Sequence, residues 1–226
     1  YNNDGTFTYT PAAGEAGTVS FEYTITDADG DTSTAKVTIT LVADSEPTVN
    51  IVRAEGDSGQ VLESGLVGGS SPGTGTTTSG TLNISTGSDA LGTVKINDVD
   101  VTNGGTVAGA HGSLVVTVVN GVYSYTYTLS GATTDVDGVP ESDDFTVVVT
   151  DSDGSTANAA LKIEIVDDVP VAANDTVTQA TENAPVIVNA LGNDTKGADG
   201  VNLGTGVVLV ANSLNAEARG SVVYNN

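Results

Sequence analysis

The 226-residue sequence sets 29 acidic residues against six basic ones, a formal charge of −23, and contains no Cys, Met or Trp. So acidic a surface repels phosphate backbones and anionic headgroups, which argues against nucleic acid and membrane surfaces as partners. The missing thiols exclude disulfides, thiolate chemistry and Cys-based zinc sites, and no apolar run is long enough for a membrane-spanning helix.

In chain order, period-two alternation bounded by Gly, Asn, Asp and Pro predicts an all-β chain. A first strand is expected at residues 6–10. Phe21, Tyr23 and Ile25 then form one apolar strand face, followed by the acidic turn Asp27-Ala28-Asp29-Gly30-Asp31. In residues 34–42, Ala35, Val37, Ile39 and Leu41 face one way and Lys36, Thr38 and Thr40 the other. Further strands are expected at 81–85, 93–97, 113–119 and 122–129. Phe145, Val147 and Val149 open the next strand, which leads into the turn Asp151-Ser152-Asp153-Gly154 and a strand at 158–166. Beyond it, strands are expected at 185–191 and 207–211, and a helical turn at 213–219. Many short strands at intervals of about ten residues argue for β-sandwiches.

Two internal matches set the domain frame. Thr26-Asp27-Ala28-Asp29-Gly30-Asp31-Thr32 reappears 124 residues later as Thr150-Asp151-Ser152-Asp153-Gly154-Ser155-Thr156. Gly5-Thr6-Phe7-Thr8-Tyr9-Thr10 aligns with Gly121-Val122-Tyr123-Ser124-Tyr125-Thr126 at an offset of 116. A repeat this long is a whole folded domain. Gly220-Ser221-Val222-Val223 resembles Gly112-Ser113-Leu114-Val115, and Tyr224-Asn225-Asn226 matches Tyr1-Asn2-Asn3, which together imply a parent repeat of 223 residues. The expected arrangement is one complete sandwich at residues 46–168, flanked by two complementary half-domains. Residues 1–45 would be a C-terminal half and residues 169–226 an N-terminal half of a second domain type. Open strand edges and apolar faces then predict head-to-tail exchange of half-domains between molecules, besides contacts with neighbouring repeats of the same protein.

Ala173-Asn174-Asp175-Thr176, Thr181-Glu182-Asn183-Ala184-Pro185-Val186 and Leu191-Gly192-Asn193-Asp194, joined to residues 3–11 and the Asp27–Asp31 turn, resemble bacterial cadherin-like, immunoglobulin-like repeats. The stretches Glu63-Ser64-Gly65-Leu66, Gly80-Thr81-Leu82-Asn83-Ile84, Ala110-His111-Gly112-Ser113-Leu114 and Tyr123-Ser124-Tyr125-Thr126-Tyr127 are similar to the type I secretion repeats of giant RTX-type surface adhesins. The resemblance implies secretion to the bacterial cell surface, calcium-dependent rigidity, and an extender that holds a distal binding tip for adhesion or biofilm formation. The Gly-Gly-x-Gly-x-Asp nonapeptide of the secretion region is missing from this stretch, so its calcium β-roll is not expected here.

The bunched carboxylates carry the chemistry. Calcium takes six to eight hard oxygen ligands, and residues i and i+2 of a tight loop can converge on one centre. Topology puts Asp151 and Asp153 beside the linker Asp44-Ser45-Glu46-Pro47, at the pole where the chain joins the sandwich (here the N-terminal pole). Asp27, Asp29 and Asp31 are expected beside a preceding repeat's Asp167, Asp168 and Asp175, with Asp194 joining that site. Glu63 and Glu182 resemble the early glutamate of cadherin-like domains and could serve either pole. Asp135, Asp137, Asp143 and Asp144 read as a loop at the C-terminal pole, either solvated or part of a site. Several calcium ions at interdomain joints are therefore expected. His111, the only imidazole, reads as a turn residue, and no spacing assembles a catalytic triad, so no enzymatic activity is expected. The competing reading is a calcium-dependent carbohydrate-binding module. Exposed Trp and Tyr platforms would favour it, and Trp is missing.

Overall fold

The computed structural model describes residues 1–134, 139–211, 213 and 220–225. The alternating segments around the two acidic turns form long hairpins. β1 (Gly17–Thr26) pairs with β2 (Thr32–Leu41) in a separate two-stranded sheet. The other ten strands make two five-stranded sheets within residues 48–166: β3 (Thr48–Arg53), β4 (Gln60–Leu62), β5 (Thr77–Ser85), β6 (Leu91–Ile96), β7 (Val99–Asp100), β8 (Gly105–Ala108), β9 (Gly112–Val119), β10 (Val122–Leu129), β11 (Glu141–Asp151) and β12 (Thr156–Val166). One sheet runs β3-β5-β10-β9-β8 and the other β4-β12-β11-β6-β7.

Their inward positions fuse into one core. Leu114, Tyr125 and Tyr127 from the first sheet meet Ile96, Phe145, Val147 and Ile163 from the second, all at most 2 % exposed. Tyr127 stacks edge-on to Phe145 with ring centroids 6.1 Å apart, a geometry the aromatic quadrupoles favour. The alternation along β12 is complete: Leu161, Ile163 and Ile165 are buried, whereas Lys162 and Glu164 face solvent.

Three segments depart from the expected strands. Residues 6–10, 185–191 and 207–211 carry strand-like alternation but belong to no ladder among the described residues. Alternation supplies a face, and a strand forms only where a neighbour takes up its backbone hydrogen bonds. Between residues 171 and 225, the described pairing is one isolated bridge, Val171 to Thr195. The helical turn expected at 213–219 falls almost wholly outside the described residues.

Candidate functional site

Sheet register builds the C-terminal pole. β4 runs parallel to β12 with Val166 opposite Leu62, so the next residues on each chain, Asp167 and Glu63, leave the sheet side by side. Glu63 opens a single 3₁₀ turn, Glu63–Gly65, and is fully buried. One of its oxygens, Oε1, accepts from the Thr133 amide at 2.6 Å and from its hydroxyl at 2.5 Å. The other, Oε2, is buried with no donor among the described residues. Glu63, Asp167 and Asp199 each bring a carboxylate oxygen within 4.8 Å of the others. A cavity of about 340 Å³ lies there, lined by Thr133, Asp167, Asp168, Lys196 and Asp199 among others. Asp168 itself turns away to receive the Ser70 amide at 2.8 Å and hydroxyl at 2.5 Å.

The N-terminal pole is assembled from three loops. The β11–β12 turn brings Asp153, the β5–β6 turn brings Asp89, and the segment before β3 brings Asp44; their oxygens also lie within 4.8 Å of one another. Hydrogen bonds clasp the joint: Ser155 Oγ donates to Asp44 at 3.1 Å, and Ser45 Oγ donates to Asp89 at 2.6 Å. Beneath them, Asp151 is 3 % exposed. Its Oδ1 receives the Gly154 and Ser155 amides at 3.1 and 2.9 Å, while Oδ2 is buried with no donor outside the acid pair. Burial, then the Asp153 carboxylate beside it, hold the Asp151 carboxyl above the usual aspartate range, and hydrogen bonding with Asp151 holds Asp153 below it. Two acids in such contact share protons as a pair.

The third cluster differs. Asp27, Asp29 and Asp31 converge at the β1–β2 turn but are all exposed. Asp27 Oδ1 accepts the amides of Asp29, Gly30 and Asp31 at 3.3, 3.0 and 2.8 Å, which is the ordinary chemistry of an Asp-Gly turn.

Of the sequence-predicted residues, the structure thus gathers Asp44 with Asp153 over Asp151, Glu63 with Asp167, and Asp27 with Asp29 and Asp31. Glu46 is exposed and outside these groups. Asp175 and Glu182 are exposed and join none of them, and Asp194 caps the Ala173 amide at 2.8 Å instead of reaching another acid. Asp89 and Asp199 were not singled out by sequence. Both lie in turns that neighbour the predicted acids only after folding. Asp143 also reads differently in three dimensions. It sits on β11, 2 % exposed, and accepts the amides of Ala110, His111 and Gly112 and the Tyr127 hydroxyl at 2.6–3.2 Å. Gly109 makes room, since a Cβ there would fall 2.1 Å from Asp143 Oδ2. Asp143 is a saturated structural anchor, whereas Asp135 and Asp137 lie outside the described residues. No helix among the described residues is long and apolar enough to cross a membrane.

Residues 1–40 match the family model of a bacterial Ig domain. Domains of this kind are typical of secreted or surface proteins and are usually non-catalytic. A comparison with curated proteins finds no match.

Proposed function

We propose that the chain is a calcium-stiffened extender of a bacterial surface adhesin of the RTX type, exported by type I secretion and projecting a distal binding tip. One observation carries the reading. At the C-terminal pole Glu63, Asp167 and Asp199 converge, and Glu63 Oε2 is buried with no donor among the described residues. At the N-terminal pole Asp44, Asp89 and Asp153 converge beside Asp151, whose buried Oδ2 has no donor outside its acid pair with Asp153. A buried anionic oxygen without a donor is costly, and a hard divalent cation removes that cost at both poles at once. Glu63, Asp167 and Asp199 would hold one ion; Asp44, Asp89 and Asp153, with Asp151, another. When bound, calcium supplies fixed positive charge that draws linker and loop acids together. The chain's own part is to preset them. The parallel register places Glu63 beside Asp167, and Ser45 and Ser155 pin the linker to the two turns.

The test is small-angle scattering of the whole chain in millimolar calcium and in chelator, with Asp151→Asn/Asp153→Asn alongside. Asparagine keeps the Oδ1 acceptor of the turn but removes both charges. Wild type should lengthen and stiffen with calcium, and the double variant should lose part of that response while its sandwich melts cooperatively. Identical profiles with and without calcium would overturn the extender reading, and binding to a glycan array would put a carbohydrate module in its place.

A further inference from the structure

We propose that the apolar face of hairpin β1–β2 is a docking surface for a second copy of this chain, whose residues 171–211 and 220–225 supply the strands that the hairpin lacks. The molecule contains its own reference for this face. β1–β2 and β11–β12 share one register: Phe21 pairs with Val37 as Phe145 pairs with Leu161, and Thr26 with Thr32 as Thr150 with Thr156. Their surroundings differ. β11–β12 lies inside a five-stranded sheet flanked by β4 and β6, under a second sheet, whereas among the described residues β1 and β2 pair only with each other.

Burial measures the difference. Val149 is fully buried, and its counterpart Ile25 is 63 % exposed. Tyr123 and Tyr125 on β10 are 4 % and 2 % exposed, against 42 % and 37 % for their counterparts Phe7 and Tyr9. Phe7 already leans on Phe21 and Tyr23, with ring centroids 5.1 and 5.6 Å apart. Residues 6–10 thus pack on the hairpin as β10 packs on β11, through a different ring pair (Tyr127 on Phe145 there) and without the strands that cover them.

The second copy is named by the internal repeat. Gly220-Ser221-Val222-Val223 corresponds to the start of β9, the neighbour of β10. Leu114 is fully buried there, and its counterpart Val222 is 52 % exposed. Val115 faces Thr126 across the β9–β10 ladder, so Val223 should face Thr10 in the rebuilt sheet. Ile187, Val208 and Val210 are 85 %, 76 % and 70 % exposed, apolar chains suited to the missing sheet. A stable interface takes about 800 Å² from each partner; Phe7, Tyr9 and Ile25 are still 42 %, 37 % and 63 % exposed and supply part of that area, the backbone edges of the hairpin the rest.

Geometry puts the exchange between molecules. Asp44 sits at one pole of the sandwich by Ser155, and Asp167 and Asp168 at the other, about 36 Å apart along the eleven-residue strands β11 and β12. Closing that gap within one chain needs a back-fold, whereas head-to-tail docking propagates an open chain. It would also set the Asp27 turn of one molecule against Asp168 and Asp175 of the next. The proposal does not depend on calcium binding at the two poles.

The chain has no cysteine, so introduced thiols report without background. Thr10→Cys and Val223→Cys, prepared separately and mixed under mild oxidation, should give a disulfide-linked heterodimer well above either homodimer. Sedimentation should show wild type growing with concentration, and Phe21→Asp should abolish growth while the central sandwich melts as in wild type. A strictly monomeric wild type would overturn the proposal. So would a Thr10→Cys/Val223→Cys chain that closes its disulfide within one molecule.

Discussion

Replacing Glu63 by Gln separates a cation ligand from a structural acceptor. Oε1 of Glu63 serves Thr133, and Oε2 has no donor among the described residues. Glutamine keeps the first acceptor and turns the second position into an NH₂ that can donate to Asp167 or Asp199. Without calcium, Glu63→Gln should therefore melt at or above wild type, because a buried charge has gone. With calcium the order should reverse. If the site binds at about 10⁻⁴ M, in the range of extracellular modules, 10 mM calcium stabilises the folded chain by about 2.7 kcal/mol. A tenfold loss of affinity removes about 1.4 kcal/mol of that. For a domain of this size 1 kcal/mol is worth about 4 °C. This site should therefore add roughly 10 °C to the calcium shift of wild type and about half as much or less to that of the variant, on top of what the other pole contributes to both. Scanning calorimetry in chelator, in 10 mM calcium and in 10 mM magnesium measures all three arms. Equal calcium shifts in the two proteins, or a Glu63→Gln chain that is much less stable in chelator, would refute the assignment of Glu63 as a ligand.

Two further predictions concern acids that the fold has already satisfied. Asp143→Ala leaves three backbone amides and the Tyr127 hydroxyl without their acceptor; urea unfolding should register a loss of about 3–5 kcal/mol, and a loss under about 1 kcal/mol would show that the amides find other partners. Asp57 gives an acid-stability signal: burial pushes its carboxyl up, but hydrogen bonds from Thr78, Ser79 and Gly59 and the Arg53 charge outweigh it and lower it overall. Its stabilisation is therefore complete above the unfolded aspartate value of about 3.9 and is lost as pH falls through the lower folded value. Asp57→Asn should flatten the stability curve below about pH 4, and an unchanged curve would refute that account.

The hairpins were legible in sequence because alternation is sustained over ten residues or more and stops at Asp-x-Asp-Gly turns. β4 spans only Gln60–Leu62 and β7 only Val99–Asp100, too few residues for any period to register. The opposite failure, strands expected at 6–10, 185–191 and 207–211, has a tertiary cause: the face is written in the residues, the partner strand is not. Asp143 was readable and was misplaced. It lies two and four residues before Phe145 and Val147 on the same inward face, so period two already pointed it into the core. Asp89 and Asp199 carried no such pattern, since an acid in a turn becomes a neighbour of another acid only through the stacking of loops at one pole.

What separates a site from a satisfied acid in this molecule is whether both carboxylate oxygens meet a donor, not the count of charges. Asp143 has four donor groups, Asp57 three and Asp168 two, and each is fixed inside or against the sandwich. Asp27 takes three amides in its own turn. Among the acids of the described residues, only Glu63 and Asp151 combine near-complete burial with an oxygen that meets no donor outside its own cluster of acids, and both sit beside other acids at a pole where the chain joins or leaves the sandwich. A fold that meant only to bury them could have aimed an amide at each, as it does for Asp143. Leaving both oxygens free while pinning their neighbours with Ser45, Ser155 and Thr133 is an arrangement that a divalent cation completes and a proton completes only in part. On that reasoning, calcium and acid should compete at the Asp151–Asp153 pair, and the calcium-induced rise in melting temperature should shrink as pH is lowered toward 4. A rise that stays constant across that range would place the ion elsewhere.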